Sequence, residues 1–252
     1  MSVHNHTSTG RAIVTGHTHG LGEALAEQLL ARGFAVLGVA RSTHATLAQR
    51  HADLFEQIEL DLADTARVAQ WLAGDHLQRF IGNAQQVLLI NNAGTVQPVG
   101  PLDTQDPATI AQAVSLNVAA PLMLASAVTT ASAQAADRRI VHISSGAGRN
   151  PYPGWSVYCA TKAALDHHAR SVALDANRAL RICSIAPGVV DTNMQAEVRA
   201  SALEKFPQRE RFVELKQSGK LTLPHDAAAK MLDYVLGDEF GKLATTDVRE
   251  LP

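Results

Sequence analysis

The sequence predicts a single α/β domain, in which a doubly wound parallel sheet carries helices on both of its faces. Short β-branched segments alternate with longer segments of helical periodicity along the whole chain, and no linker or internal repeat interrupts them. The 252 residues, of which 46% are hydrophobic, are enough to build one large core. Ligands of such sheets bind at the carboxyl ends of the strands, so functional residues are expected in the loops that follow them.

The alternation assigns the elements in order along the chain. Strands are predicted at 11–15, 35–39, 54–60, 87–90, 139–143 and 180–186, with a possible seventh at 244–248. The strand at 87–90, Val-Leu-Leu-Ile, is apolar throughout, as expected for a strand that is buried on both faces. Helices are predicted at 21–32, 45–51, 65–72, 107–118, 122–136, 157–176 and 226–236.

Two segments fall outside this alternation. Residues 1–10 are polar and lack an apolar centre, so they are predicted to form a flexible tail before a catalytic domain that spans 11–252. The polar segment 191–223 follows the sixth strand and is interrupted by Pro207 and Gly219. Its place at the ligand end of the sheet favours a substrate lid, with a plain surface excursion as the alternative.

The composition argues against several kinds of partner. A net charge of −2 and an aromatic content of 4% provide neither the basic excess nor the stacking surfaces that nucleic acids need. The longest apolar stretch, 118–128, is too short to span a bilayer, so no membrane partner is expected. Two cysteines fit a reducing, cytoplasmic setting. No pair of histidines has metal-ligand spacing beside an acid, so no metal is expected.

A glycine-rich loop separates the first strand from the first helix. Gly16, Gly20 and Gly22 follow the spacing G-x-x-x-G-x-G, and His19 and Leu21 lie among them. Glycines let backbone N–H groups approach a phosphate closely, and the helix N-terminus adds a partial positive charge. Three glycines alone also suit an ordinary turn, but the strand–loop–helix context favours a dinucleotide site in a Rossmann-like fold.

The end of the second strand indicates which dinucleotide binds. An acid at this position would repel a 2′-phosphate, whereas this chain has Ala40 followed by Arg41. A guanidinium binds phosphate well, and His19 could add a partial charge, so NADP(H) is preferred over NAD(H). The alternative for Arg41 is a solvated surface residue. Asp61, at the end of the third strand, is placed either to bind the adenine amino group or to cap the following helix.

Tyr158 and Lys162 are the residues best suited to proton transfer. They are four residues apart in a predicted helix and therefore share one face. A phenol normally titrates near pH 10, and a neighbouring ammonium is expected to lower that pKa, which would make a usable general acid for carbonyl reduction. Ser145 precedes Tyr158 by thirteen residues, where its hydroxyl could hold a substrate oxygen beside the phenol.

Taken together, these motifs resemble those of the short-chain dehydrogenase/reductase family. The matching segments occur in the family's order and are TGHTHGLG (15–22), NNAG (91–94), Asn117, Ser145, YCATK (158–162) and PGVVDT (187–192). The resemblance implies that Tyr158 donates the proton and that Lys162 binds the nicotinamide ribose and tunes Tyr158. It implies that Ser145 orients the carbonyl and that Asn117 holds a water in a proton relay to Lys162.

The resemblance also implies the remaining contacts to the cofactor. The glycines of the loop would face the pyrophosphate, Asn91 would line the cofactor cleft, and Thr192 would contact the nicotinamide carboxamide. Further cofactor contacts are expected from Ala93, Gly94, Pro187, Gly188 and Val190. Tyr152 and Trp155, in the loop before Tyr158, are predicted either to form an apolar substrate wall or simply to pack in the interior.

A finer resemblance is to the sepiapterin reductase and benzil reductase branch, which reduces vicinal dicarbonyls with NADPH. It rests on Trp155, on Cys159 and on residues 191–195, DTNMQ. The predicted function is therefore NADP(H)-dependent reduction of a ketone or vicinal dicarbonyl to an alcohol. The alternatives are an NAD(H)-dependent alcohol dehydrogenase of the same fold and a non-catalytic nucleotide-sensing protein. The resemblance further implies a homodimer or a homotetramer.

Overall fold

The computed structural model describes residues 10–175, 177 and 179–251, and the predicted tail, apart from Gly10, lies outside this range. Seven parallel strands form the sheet in the order β3-β2-β1-β4-β5-β6-β7. Their bounds are β1 Arg11–Thr15, β2 Ala35–Ala40, β3 Phe55–Glu59, β4 Gln86–Asn91, β5 Asp137–Ile143, β6 Leu180–Ala186 and β7 Thr245–Asp247. The chain starts in the middle of the sheet and builds outward in both directions, which confirms the doubly wound prediction.

Helices cover both faces of the sheet. They are α1 Gly20–Ala31, α2 Ala45–Arg50, α3 Thr65–Leu72, α4 His76–Ile81, α5 Pro107–Val114, α6 Ala120–Ala131, α7 Ser156–Val172, α8 Asn193–Ala200, α9 Arg209–Gln217 and α10 Pro224–Leu236. On β4, Leu88 and Ile90 pack in one core with α1 and α10, whereas Val87 and Leu89 pack in the other with α6. The apolar run in this strand therefore reflects burial on both faces, as predicted.

Several helix ends follow from local capping chemistry. Asp106 caps α5 by accepting the N–H of Thr109, and Pro107 occupies the first turn, where its missing N–H costs nothing. Asp64 caps α3 in the same way through the N–H of Arg67. The predicted helix 122–136 stops earlier, at Ala131, and the Ser132 hydroxyl donates to the carbonyl of Val128 at this end. Helix α4 was not predicted, because its six residues are too few to show a clear period.

Two helices predicted separately form one continuous helical segment. A π-helical turn, Ser115–Ala119, joins α5 to α6. Among the described residues, this one segment, Pro107–Ala131, is long and apolar enough to cross a membrane by length and composition, with a mean hydropathy of 1.5. Core helices of soluble proteins pass the same test, and this one packs on the sheet through Leu124 and Val128.

The polar segment 191–223 is folded rather than irregular. It contains α8 and α9, which pack against each other. Its two ends are tied together where Asp191 donates its N–H to Thr222, and Thr222 donates its own to Val189. Phe206 and Phe212 from this segment join Trp155 in a third apolar cluster, separate from the two cores of the sheet. The segment therefore forms a cover above the carboxyl ends of β5 and β6.

Candidate active site

A cleft of about 740 Å³ opens at the carboxyl ends of the strands, where the sequence predicts the ligand site. Its wall continues from the loop after β1, past the ends of β2 and β4, to the loops after β5 and β6 and the cover segment. The cleft lies at the ends of β1 and β4, the neighbouring strands from which the chain builds outward in opposite directions. Its volume is in the range usual for a cofactor or substrate pocket.

The glycine-rich loop has the geometry of a phosphate cradle. Gly16 and Gly20 adopt left-handed backbone conformations, with φ of 69° and 60°, that disfavour other residues. A Cβ on Gly22 would collide with the carbonyl oxygen of Gly16, so the loop closes tightly against the start of α1. His19, Gly20, Leu21 and Gly22 all line the cleft, and the first N–H groups of α1 have no partner within the helix. These features fit a dinucleotide pyrophosphate.

The far end of the cleft carries the residues predicted to select the dinucleotide. Ala40 and Arg41 both line it, and Arg41 is exposed with no ion-pair partner among the described residues. Asp61 lines it as well, and its Oδ1 accepts the N–H of Ala63 at 2.9 Å. The alternative role of Asp61 as the cap of α3 is wrong, because Asp64 occupies the cap position.

Asn91 lies away from the cleft, contrary to the prediction. It is the last residue of β4, and its side chain is buried below the sheet edge, where it donates to the carbonyl of Pro121 at 3.3 Å and meets Nδ1 of His142 at 3.2 Å. Asn92 lines the cleft instead and donates to the carbonyls of Thr15 and Gly16. Consecutive residues of an extended chain point to opposite faces, so the two asparagines exchange roles.

Ala93 and Gly94 continue the cleft wall after Asn92. A Cβ on Gly94 would lie 3.2 Å from Oδ1 of Asn117 and 3.6 Å from Nζ of Lys162. Glycine therefore leaves open the space between these two polar groups. The loop after β6 lines the opposite wall with four predicted residues, namely Pro187, Gly188, Val190 and Thr192.

Tyr158, Ser145 and Lys162 meet on the floor of the cleft. Tyr158 and Ser145 both line the cleft, and Ser145 Oγ accepts the N–H of Ala147 at 3.1 Å. This bond caps a short 3₁₀ turn and so fixes the serine hydroxyl. Lys162 is buried, donates to the carbonyl of Ile143 at 2.8 Å, and lies 5.7 Å from the centroid of the Tyr158 ring.

The protonation of this trio differs from the sequence prediction. Burial raises the pKa of Tyr158 to about 12, although the hydrogen bond with Ser145 acts to lower it. Burial also lowers the pKa of Lys162 to about 8, against the opposing attraction of Asp166. The pKa of the phenol is therefore not lowered as expected, because burial has the largest effect on it. The phenol therefore keeps its proton at neutral pH.

Asn117 sits within the π-helical turn between α5 and α6. Its Nδ2 donates to the carbonyl of Thr95 at 2.8 Å and to the hydroxyl of Thr161 at 3.1 Å, and its Oδ1 accepts the N–H of Thr95. These bonds use both N–H groups of the buried amide and one lone pair of its oxygen, and they fix Asn117 beside Lys162. Single π-helical turns are common at functional sites, where they redirect a side chain or a carbonyl.

Aromatic side chains form the wall above Tyr158. Trp155 is buried, lines the cleft, and stacks on Phe206 of the cover segment with centroids 4.4 Å apart. Tyr152 and Tyr158 contact the Trp155 ring at 5.4 Å and 5.3 Å. Trp155 packs in an apolar cluster and also faces the cleft, where it is placed for the predicted substrate wall.

Sequence reasoning missed several residues of this wall. The cover segment contributes Gln208, Arg211, Phe212 and Leu215, and the end of the chain contributes Asp247 and Arg249. Arg249 binds Asp247 through two nitrogens, at 2.8 Å and 2.7 Å. The position of this pair could have been predicted, because the strand expected at 244–248 would also end at the cleft. The cover residues could not have been predicted, since their position depends on how segment 191–223 folds back over the sheet.

Comparison with known proteins places this geometry in a family. A family model described as short chain dehydrogenase matches residues 11–203. The chain belongs to the short chain dehydrogenase family. Members of this family are oxidoreductases that bind NAD(P), and the cradle at Gly16–Gly22 supplies the fitting phosphate site. The family resemblance drawn from the motifs is confirmed.

Similar proteins narrow the branch of this dehydrogenase family. A benzil reductase ((S)-benzoin forming) of Bacillus cereus is 36% identical over 235 residues, covering 90% of this chain and 94% of that protein. A sepiapterin reductase of Xenopus tropicalis is 31% identical over 245 residues, covering 90% and 92%. A crystal structure of a short-chain dehydrogenase/reductase from Burkholderia vietnamiensis shares 55% identity, with a TM-score of 0.71 and coverage of 97% and 99%. The predicted branch is thereby confirmed.

The described residues contain no group of three or more histidine, cysteine or acidic side chains able to hold a metal.

Proposed function

We propose that this dehydrogenase reduces a ketone or a vicinal dicarbonyl to an alcohol with NADPH. The observation that carries the proposal is the geometry of the cleft floor, where Tyr158 and Ser145 both line the cleft and buried Lys162 lies beside the phenol ring. A carbonyl oxygen placed between the two hydroxyls would be oriented and protonated by the same pair. The cradle at the other end of the cleft holds the pyrophosphate in this proposal.

Each residue of the floor has a separate task in this reaction. A bound nicotinamide dinucleotide supplies the hydride. Tyr158 donates the proton to the carbonyl oxygen, and Ser145 holds that oxygen by a second hydrogen bond. Lys162 binds the nicotinamide ribose and provides positive charge next to the phenol. Asn117, fixed by Thr95 and Thr161, holds the water through which the proton is replaced.

The phenol of Tyr158 is suited to act as the general acid of this reduction. A general acid must carry its proton before the reaction, and burial raises the pKa of Tyr158 to about 12, so the phenol is protonated at neutral pH.

The choice of NADP(H) over NAD(H) rests on the end of β2. Ala40 places no negative charge there, and the exposed guanidinium of Arg41 lines the cleft without an ion-pair partner among the described residues. A 2′-phosphate would supply the missing anion. His19 is exposed on the same wall, where its ring can add a hydrogen bond to this phosphate.

The substrate is proposed to carry an apolar, ring-bearing group next to its carbonyl. Tyr152, Trp155 and Phe212 present aromatic surface to the cleft beside Tyr158, and such surface favours flat apolar groups. The similar proteins named benzil reductase and sepiapterin reductase support this class. We also propose that the cover segment 191–223 acts as the substrate lid.

The setting of the enzyme is proposed from its cysteines and its family. Both Cys159 and Cys183 are free thiols, which fits a cytoplasmic location. The resemblance to the family supports a homodimer or a homotetramer, which sedimentation analysis would distinguish.

The function is tested by following NADPH absorbance with purified protein and a panel of aryl vicinal diketones, simple ketones and the corresponding alcohols with NADP. We expect diketones to be reduced fastest, and NADPH to be used more efficiently than NADH. If no carbonyl compound on the panel consumes either dinucleotide, although the protein binds NADPH, the catalytic proposal fails and a sensing role takes its place.

A further inference from the structure

His17 belongs to the phosphate loop but points away from it. Its side chain is fully buried, whereas His19, two residues further along, is exposed on the cleft wall. The ring contacts Phe55 of β3 edge-on, with centroids 5.5 Å apart. A polar ring in a phosphate loop that does not face the phosphate requires another role.

The ring occupies a space that exists because residue 38 is glycine. Gly38 lies in the middle of β2, and a Cβ there would be 2.6 Å from Cγ and Nδ1 of His17. Real Cβ atoms do not approach other atoms so closely, so the imidazole and any larger residue at position 38 exclude each other. The His17 ring thereby anchors the loop directly onto the surface of the sheet.

The neighbouring strand supplies the polar partner of the ring. Gln57 of β3 pairs with Gly38 in the sheet, and its Oε1 lies 2.8 Å from Nε2 of His17. The same oxygen accepts the backbone N–H of His44 at 2.6 Å. This second donor fixes the amide orientation, so Nε2 of His17 carries the hydrogen that Gln57 accepts. Nδ1 is buried with no partner among the described residues, and burial lowers the pKa of His17.

His44 extends these contacts back to the helix that follows the phosphate loop. It caps α2 by accepting the N–H of Leu47 on Nδ1 at 3.1 Å. Its Nε2 lies 2.9 Å from Oε1 of Glu23, in the first turn of α1. The connection therefore runs from the loop through Gln57 and His44 to α1, and it encloses the short segment 41–43 between β2 and α2.

That segment carries Arg41. The phosphate loop and the Arg41 segment are therefore both held by the same contacts, which run through Gln57 and His44. We propose that His17 is a positioning residue, which holds the phosphate loop and the Arg41 segment in register for the adenosine 2′-phosphate and the pyrophosphate. The inference rests on the proposed binding of NADP(H). His17 itself does not line the cleft and takes no part in proton transfer.

The mutual exclusion of His17 and a side chain at position 38 provides the test. We would prepare Gly38→Ala, His17→Ala and the double variant, with Gly74→Ala, after α3 and outside the cleft, as the matched glycine control. Each would be measured for the Kd and KM of NADPH, for kcat, and for thermal unfolding. Gly38→Ala is expected to raise the NADPH Kd about tenfold, because the methyl group displaces the ring and with it the loop.

In the double variant, the removed imidazole makes room for the methyl group. Its NADPH Kd should be no higher than that of His17→Ala, so the two changes are strongly non-additive. The kcat at saturating NADPH should stay close to that of the wild type in all variants, since the Tyr158 floor is untouched. A purely structural role would instead lower the unfolding temperature while leaving the NADPH Kd unchanged.

Additive effects of the two changes on the NADPH Kd, or a change in kcat with no change in Kd, would overturn the assignment of His17. Wild-type protein that binds neither NADPH nor NADH would show a different failure, that of the proposed function itself.

Discussion

The ammonium of Lys162 lies 5.7 Å from the centroid of the Tyr158 ring and donates to the carbonyl of Ile143 at 2.8 Å. Lysine and tyrosine are thus neighbours that do not bond to each other. The phenol remains protonated, and the buried ammonium supplies charge from beneath the ring. This arrangement defines the predictions for the catalytic floor.

Replacing Tyr158 by phenylalanine removes the proposed proton donor and keeps the ring that packs on Trp155. We expect kcat for carbonyl reduction to fall by about 10²- to 10⁴-fold, while the Kd of NADPH stays close to that of the wild type. Steady-state kinetics and fluorescence titration measure the two quantities. Tyr234→Phe, in α10 and outside the cleft, serves as the control. Unimpaired turnover in Tyr158→Phe would show that another group donates the proton.

The pH dependence of reduction should report the protonation of Lys162. Its pKa is lowered by burial to about 8, so the ammonium is present below that pH and is lost as the pH rises through it. Because the pKa of Tyr158 lies near 12, the phenol does not contribute to this decline. We expect kcat/KM for the carbonyl substrate to fall above pH about 8. In Lys162→Arg, whose guanidinium does not titrate in this range, any remaining activity should lack that decline.

Arg41 is expected to discriminate between the two dinucleotides. Arg41→Ala should raise the KM of NADPH by about tenfold or more, because a charge-assisted hydrogen bond to phosphate is lost. The KM of NADH should remain unchanged, since NADH has no 2′-phosphate. Arg67→Ala, an exposed arginine of α3 outside the cleft, is the matched control. An equal effect on both dinucleotides would assign Arg41 to general folding and remove it from cofactor selection.

Phe206 connects the cover segment to the substrate wall. It is fully buried and stacks on Trp155 with an interplanar angle of 16°. Phe206→Ala leaves a cavity in this small cluster, at a typical cost of about 3–5 kcal/mol. We expect the KM of the carbonyl substrate to rise about tenfold, while the KM of NADPH is unchanged. Leu203→Ala, at an exposed position of the same segment, is the control and should change neither KM value. A rise in both KM values for Phe206→Ala would argue against a substrate lid.

Asp137 should control acid stability at the opposite end of the sheet. Burial raises the pKa of this carboxyl, but hydrogen bonds from Arg139, Arg181 and Gln86 together lower it to about 2. A carboxyl that titrates near 3.8 when unfolded then contributes about 2 kcal/mol to the free energy of unfolding above pH about 4.

This contribution is lost as the pH falls from about 4 to about 2, because the native carboxylate must then take up a proton. Urea unfolding of the wild type and of Asp137→Asn should be measured across this pH range. The difference between their free energies of unfolding should become smaller as the pH falls. The exposed Asp53→Asn, on the loop before β3, should show no such trend. A difference that stays constant over the range would exclude the pairing of Asp137 as its source.

The catalytic floor could be predicted because its residues are read from local sequence patterns. Tyr158 and Lys162 share a helix face by their spacing, and Ser145 follows a buried strand at the ligand end of the sheet. The choice between Asn91 and Asn92 could not be made in this way. It depends on the residue at which β4 ends, since moving that end by one position reverses the side of the sheet that each amide faces.

The sequence by itself determined the fold class, the family and the residues of the proposed proton-transfer floor, because strand–helix alternation and short motifs are encoded within a few neighbouring positions. The tertiary structure decided which groups are desolvated and which distant segments meet. It raised the pKa of Tyr158 where the sequence predicted a lower one, since burial has the largest effect on the phenol. It brought Arg249 and the cover segment to the cleft, and it placed the His17 ring over Gly38. Burial and contacts between remote segments depend on packing in three dimensions, which local periodicity does not record.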